Sequence, residues 1–311
     1  MKWARRDDTV LPVAGLVMSA LCWGIVWYPY RWLAGTGMDG LVSSMLTYII
    51  AGALGLPLLA GCWRNLVRHT GVWIMLALLA GVTNTAYVLA VIHGEVMRVA
   101  LLFYLAPLWT VLFARLLLGE RLTVTGYLIL LLSLGGALVM LWRPGGRWPL
   151  PVNLSEWLGL LAGIGFALTN VLSRRLEQLV LQARALAIWA GGSLVPAVWL
   201  GLLGLHPLHG LHGLGPWVWL VLVAVALSMY SVTLLMQYGL SHVAANRAIV
   251  ILLSELVVSA LSAYLLAHEW LVGKEWLGAA MIMAASLFSG KMEHERNDAD
   301  SGHSSRVAAG S

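Results

Sequence analysis

The sequence predicts an all-α integral membrane protein of ten transmembrane helices, built as two inverted five-helix repeats with both termini cytoplasmic. Three observations carry this expectation: too little charge to cover a soluble globule, ten long apolar stretches, and an internal repeat that keeps polar residues in one ungapped register. Of 311 residues, 60% are hydrophobic and 11% charged, against roughly 25% charged in an ordinary soluble domain. A membrane-crossing helix needs about 20 mostly apolar residues, and the chain holds ten runs of about that length.

In chain order, long apolar runs broken by Gly, Pro or charge cover 11–33, 41–62, 72–92, 98–118, 124–142, 155–173, 185–205, 215–237, 246–267 and 272–290. Residues 1–10 form a short cytoplasmic N-terminus. The apolar run behind it exceeds a signal-peptide core of about 7–15 residues and lacks a small-residue cleavage site, so it is expected to remain as the first span. The segment 291–311 is polar and rich in Ser and Gly, the composition of a disordered tail. With the N-terminus inside, 14 of the 19 Lys and Arg fall on the cytoplasmic side and 5 outside, which sets the orientation in an inner (plasma) membrane. Eleven of the sixteen tryptophans lie near span ends, where amphipathic rings prefer the headgroup level. Of the interior five, Trp109, Trp189 and Trp199 are expected to pack or face lipid.

Several function classes drop out. The net charge of +5 is scattered, without the basic stripe of a nucleic-acid binder. Cys22 and Cys62 lie in apolar runs with no Cys or His spacing for a disulfide or a zinc site. His206, His209 and His212 share a loop with no carboxylate or Cys to complete a metal set. No HExxH, GxSxG or GxxxxGK[ST] pattern is present.

Sliding the chain by 149 residues pairs His93 with His242, Arg98 with Arg247 and, without a gap, LFARLLLGERL with LSAYLLAHEWL, so that Glu120 meets Glu269. A shift of 143 sets Arg31 over Arg174. The chain therefore divides into a first repeat at 11–142, a connecting loop at 143–154 and a second repeat at 155–290. An odd number of spans per copy turns the second copy upside down. Inverted repeats are a transporter architecture, with the site near the midplane at the repeat interface.

The stretches ALLFYLAPLWTVLFARLLLGERLT and AIVILLSELVVSALSAYLLAHEWL resemble the fourth and ninth helices of the drug/metabolite transporter superfamily, in its EamA-domain branch. Gly119-Glu120-Arg121-Leu122 matches that pattern. The second copy departs from it, reading His268-Glu269-Trp270-Leu271, with Leu256 where the family has Pro after Glu255. The resemblance implies a ten-helix secondary transporter rather than an enzyme, with no cofactor. Its cavity would be bounded by the first, third, fourth, sixth, eighth and ninth helices, with the fifth and tenth peripheral. Bacterial members are commonly exporters, so the expected activity is alternating-access export of small amphipathic metabolites, neutral or aromatic amino acids first. A proton-coupled multidrug exporter of organic cations is the alternative, although small relatives of that kind carry a carboxylate in the first helix and residues 11–33 have none. A membrane enzyme or scaffold is a third. Expected partners are the lipid bilayer, a small-molecule substrate and, in one reading, protons; the chain is expected to be a monomer or weak oligomer.

Glu255 is the acidic residue far from any span end, where a charge costs on the order of 3 kcal/mol and must face a cavity or a partner. It reads either as a proton-coupling or substrate-amine site, or as a carboxyl holding helices together. Asn84 and Tyr87 lie one turn apart in the third span and Tyr230 and Gln237 in the eighth, polar groups that must point inward. Trp23, Trp27 and Tyr30 on the first span, Tyr104 on the fourth and Asn170 on the sixth are candidate walls and anchors for a small zwitterion. Pro107 frees a carbonyl and permits a kink, a candidate hinge. Gly159 and Gly163 form a GxxxG, a close helix contact. Arg98 and Arg247, at span ends, are expected to snorkel to the surface.

Overall fold

The computed structural model describes residues 10–119, 124–142, 151–175, 179–204, 211, 213–243, 251–252, 254–270, 273–274, 276–285 and 287–288, and among them all regular structure is helical. Six stretches are long and apolar enough to cross a membrane: Val10–Gly35, Gly40–Arg68, Thr70–His93, Val96–Leu117, Leu181–Leu202 and Pro216–Gly239. Shorter apolar helices, Val124–Gly136, Leu154–Thr169, Ser254–Ala267 and Trp276–Ala285, occupy the fifth, sixth, ninth and tenth positions. The protein is thus an all-helical membrane protein whose ten helical regions follow the order of the apolar runs. The first nine residues, the segment 291–311, residues Glu120 to Leu122, Arg247, His206, His209, His212 and most of the connecting loop lie outside the described residues, as do the side chains of Pro107 and Asn170.

The first span consists of α1 (Val10–Ile25) and α2 (Trp27–Gly35), and the fourth of α5 (Val96–Phe103) and α6 (Ala106–Leu118). In both, the upstream helix ends four residues before a proline. Pro29 has no N–H for the Ile25 carbonyl and Pro107 none for that of Phe103, so each ladder is interrupted at that point. The other spans are α3 (Gly40–Arg68), α4 (Thr70–His93), α7 (Val124–Leu141), α8 (Leu154–Arg175), α9 (Leu181–Leu202), α10 (Pro216–His242), α11 (Ser254–Ser262) with a π turn over Ala263–Ala267, and α12 (Trp276–Ala285). Asp39 caps α3 by accepting from the Leu41 N–H at 2.8 Å and the Val42 N–H at 3.4 Å, which satisfies donors that have no partner inside the helix.

Contacts between the halves come in exchange-related pairs. The third span packs on the sixth and seventh, and the eighth on the first and second; the fourth packs on the sixth, and the ninth on the first. The second and seventh, and the fourth and ninth, pack on each other. Renaming each span by its counterpart five places along maps this set onto itself. The backbone repeats as well. Gly119, which ends α6, and His268, 149 residues later, both adopt the left-handed conformation, with φ of 68° and 55°. Glycine takes that conformation freely, whereas a side chain there is strained.

Close approach of backbones sets the core. At the crossing of α4 and α9, a Cβ on Gly191 would land on the Ala77 carbonyl, and one on Gly81 on the Gly191 carbonyl. The GxxxG of α8 lies against the fourth span: a Cβ on Gly163 would be 2.6 Å from the Phe103 carbonyl oxygen, and one on Gly159 3.1 Å from that of Val99. The carbonyl that Pro107 leaves without its helical donor is therefore the one Gly163 admits. At the edge, α7 meets α12, where a Cβ on Gly136 would be 2.8 Å from the Gly278 oxygen; Val124, Leu131 and Leu134 of α7 stay exposed.

Candidate functional site

The third span contributes to two polar groups in the interior. In the first, Tyr48 of α3 donates its hydroxyl to Asn84 Oδ1 at 2.9 Å, and Asn84 Nδ2 donates to the Ala80 carbonyl at 2.9 Å. The Tyr48 ring occupies the space left by Gly192, and Trp189 that left by Gly55. Trp189 is fully enclosed and stacks on Tyr230 of α10, with centroids 5.1 Å apart and planes 26° apart. The group joins spans two, three, seven and eight.

In the second group, Glu255 of α11 lies beside the hydroxyls of Tyr104 and Tyr87. The Tyr104 hydroxyl also sits 3.5 Å from the Leu252 carbonyl oxygen. Phe103 meets Tyr87 at 5.5 Å, Tyr104 at 5.8 Å and Phe166 of α8 at 5.3 Å between centroids. One carboxyl thus neighbours two tyrosines from spans three and four, beside the break in the fourth span, and an aromatic chain runs from those rings through Phe103 to Phe166 of span six. Tyr104 and Glu255 are half-buried and Tyr87 is buried.

Of the other candidates, Trp27 is fully buried and its indole N–H donates to Ser262 Oγ at 2.9 Å, while Ser262 donates to the Gly24 carbonyl at 3.0 Å, so it ties the first span to the ninth. Trp23 and Tyr30 pack with Val26, Val88, Val225 and Met229, joining spans one, three and eight. Gln237 lies half-buried two turns beyond Tyr230 on α10. Asn170 and Pro107 lie on α8 and α6. Trp199 is 53% exposed on the outside of the bundle, and Trp109 is half-buried. A narrow cleft with room for about one water opens between α4, α8 and α9, lined by Val72, Met75, Leu79, Leu172 and Arg184. It lies toward the N-terminal end of α4 and shares no side chain with either polar group.

Sequence reasoning missed Tyr48, Ser262 and Phe166, and of the two fates it gave Trp189, packing or facing lipid, the structure shows packing. The hydroxyl of Tyr48 in an otherwise apolar run was the available signal; for Trp189 only the packing partners distinguish an enclosed ring from a lipid-facing one. The surface expectation for Arg98 is corrected. Its side chain is 13% exposed and lies 3.1 Å from the Glu156 carboxylate, itself 3% exposed. Glu156 also accepts from the Val152 N–H at 2.9 Å. A buried cation next to a buried anion stays inside because leaving either alone would cost several kcal/mol.

Residues 11–142 and 153–290 each match the EamA-like transporter family. The chain belongs to the EamA-like transporter family. Transport of a small molecule across a membrane, not enzymatic turnover, is the activity of an EamA protein. Among relatives, an uncharacterized transporter of Archaeoglobus fulgidus is 27% identical over 277 residues, covering 89% of this chain and 95% of that one. A riboflavin transporter of Brucella anthropi is 27% identical over 145 residues, 46% of this chain and 50% of its own. A solved crystal structure with 19% identity superposes with a TM-score of 0.56, covering 92% of this chain and 98% of that one, so the two share a fold.

Proposed function

We propose that this EamA protein is an alternating-access exporter of small amphipathic metabolites, with neutral and aromatic amino acids as its first substrate class. The observation that carries the reading is Glu255, a carboxyl within the ninth span, beside Tyr87 and Tyr104, whose rings continue into Phe103 and Phe166. A substrate ammonium meets the carboxyl and an aromatic side chain meets the rings, which attract cations and stack with other rings. The break at Tyr104 and Leu105 supports this location, because discontinuous helices mark transporter sites at repeat interfaces. Exchange-related packing and the shared left-handed residue at Gly119 and His268 support halves that are inverted. The distribution of basic residues supports two cytoplasmic termini in an inner membrane. Tyr48, Asn84 and Tyr230 supply further polar and aromatic surface on the second, third and eighth spans; Trp23, Trp27, Tyr30, Asn170 and Gln237 remain candidate contributors, and Pro107 the candidate hinge.

Organic-cation export is a second reading, since a carboxyl beside aromatic rings also suits a quaternary ammonium. The relative named a riboflavin transporter adds a planar heterocycle to the panel. The test is flux into liposomes of labelled aromatic and neutral amino acids, quaternary ammonium compounds, riboflavin and sugar phosphates, with and without a pH gradient. Amino-acid flux is expected. If cations move and no amino acid does, the second reading replaces the first. Glu255→Gln is expected to abolish gradient-driven flux and leave exchange intact; undiminished gradient-driven flux removes protons from the mechanism.

A further inference from the structure

At one end of the bundle, Arg31 of the first half grips Glu269 of the second. Arg31 Nη1 lies 3.1 Å from Glu269 Oε1. Its Nη2 donates to the carbonyls of Val91 at 2.8 Å and Gly94 at 2.5 Å, and its Nε to Val91 at 3.1 Å. The guanidinium carbon also sits 5.0 Å from the centre of the Trp27 ring. Glu269 Oε2 accepts from the Met97 N–H at 3.3 Å.

The chemistry is complementary at each contact. Carbonyls at the C-terminus of α4 have no donors within the helix, and N–H groups at the N-terminus of α5 have no acceptors. The cation serves the first and the anion the second, as the two helix dipoles favour. One ion pair thereby joins the ends of the first, third, fourth and ninth spans. Glu255 lies fourteen residues back along the ninth span, about 20 Å at the helical rise of about 1.5 Å per residue. The narrow cleft lined by Val72, Met75 and Leu79 lies toward the other end of α4. The strained left-handed backbone at His268 immediately precedes Glu269. The pair is also 29% and 17% exposed, so water reaches it and its separation does not strand two buried charges.

We propose that Arg31 and Glu269 form the gate over one mouth of the substrate pathway, holding that face closed while they are paired and parting when it opens. The proposal rests on the alternating-access reading. Glu120 matches Glu269 at the shift of 149 and Arg31 matches Arg174 at the shift of 143, so each half carries a counterpart of both charges.

The test is accessibility. In a Cys22→Ala/Cys62→Ala background, Ser259→Cys places a thiol at a buried position one turn from Glu255 toward the gate. Full-length protein in right-side-out and inside-out vesicles is labelled with a membrane-impermeant maleimide. Glu269→Gln is expected to raise the labelling rate about tenfold from the Arg31 face alone, the factor given by about 1.4 kcal/mol. Arg31→Lys, which keeps the charge and loses the fork, gives a second variant with the same expected direction. An unchanged rate in folded protein overturns the proposal. An equal rise from both faces also overturns it, since that is general loosening. The labelling uses no substrate, so its failure leaves the amino-acid reading standing, and a failed flux panel leaves the gate result intact.

Discussion

Replacing Gly191 by alanine adds one methyl group where the seventh span crosses the third. The added Cβ would fall on the Ala77 carbonyl oxygen, 2.6 Å from the carbon of that carbonyl and 3.0 Å from the Gly81 nitrogen. Ordinary contact begins near 3.4 Å, so the two backbones must part by about 0.8 Å for the carbonyl carbon alone. No side chain stands between them to rotate away. Overpacking of this kind costs about 1–3 kcal/mol, against a gain of about 0.5–1 kcal/mol for alanine over glycine inside a helix. The overpacking term wins, and the expected net loss is about 1–2 kcal/mol. The control has the opposite sign: at Gly61 of α3 and Gly201 of α9 a Cβ would meet nothing within 4 Å, so alanine there is expected to stabilise. Thermal unfolding of purified protein in detergent reads both. Parting α4 from α9 also shifts Asn84, one turn from Gly81, against Tyr48, so flux is expected to fall in Gly191→Ala and hold in Gly61→Ala. A Gly191→Ala protein as stable as the parent would refute the reasoning from backbone contact.

His268→Gly is expected to stabilise by about 1 kcal/mol, because the left-handed conformation costs about 1–2 kcal/mol with a Cβ and almost nothing without; a lowered unfolding midpoint would contradict it. Tyr48→Phe removes the donor to the half-buried Asn84 Oδ1, at about 1 kcal/mol for the lost hydrogen bond, and should raise KM for the transported substrate in liposome flux. Trp27→Phe loses the bond to Ser262 and is expected to cost about 1 kcal/mol in the same unfolding assay; an unchanged midpoint would show that ring burial alone holds the first span to the ninth.

The order and placement of the helices were legible because membrane burial acts on composition, which is local. The second span runs past its expected limit of 62 to Arg68, since an amphipathic helix end continues beyond the apolar run without a change of energy sign. Pro107 announced the break in the fourth span; Pro29 announced the break in the first equally and was read only as part of an apolar run. Glu255 stood out in the sequence by its charge, whereas its neighbours Tyr104 and Tyr87 come from two other spans and only the packing brings them beside it. Arg98 misled, because snorkelling and ion pairing begin from the same place at a helix end and differ only in whether a carboxylate from α8 reaches it.

By itself the sequence determined that the chain lives in a membrane, that it has two homologous halves, and that one acid lies deep. Those properties follow from burial of apolar surface and from an ungapped register, neither of which needs a third dimension. Tertiary structure decided which polar groups share a site and which merely share a depth. Tyr48 meets Asn84 across 36 positions and Arg31 meets Glu269 across 238. Such pairings depend on how closely backbones approach at Gly81, Gly191 and Gly163, and that distance is a property of two helices at once.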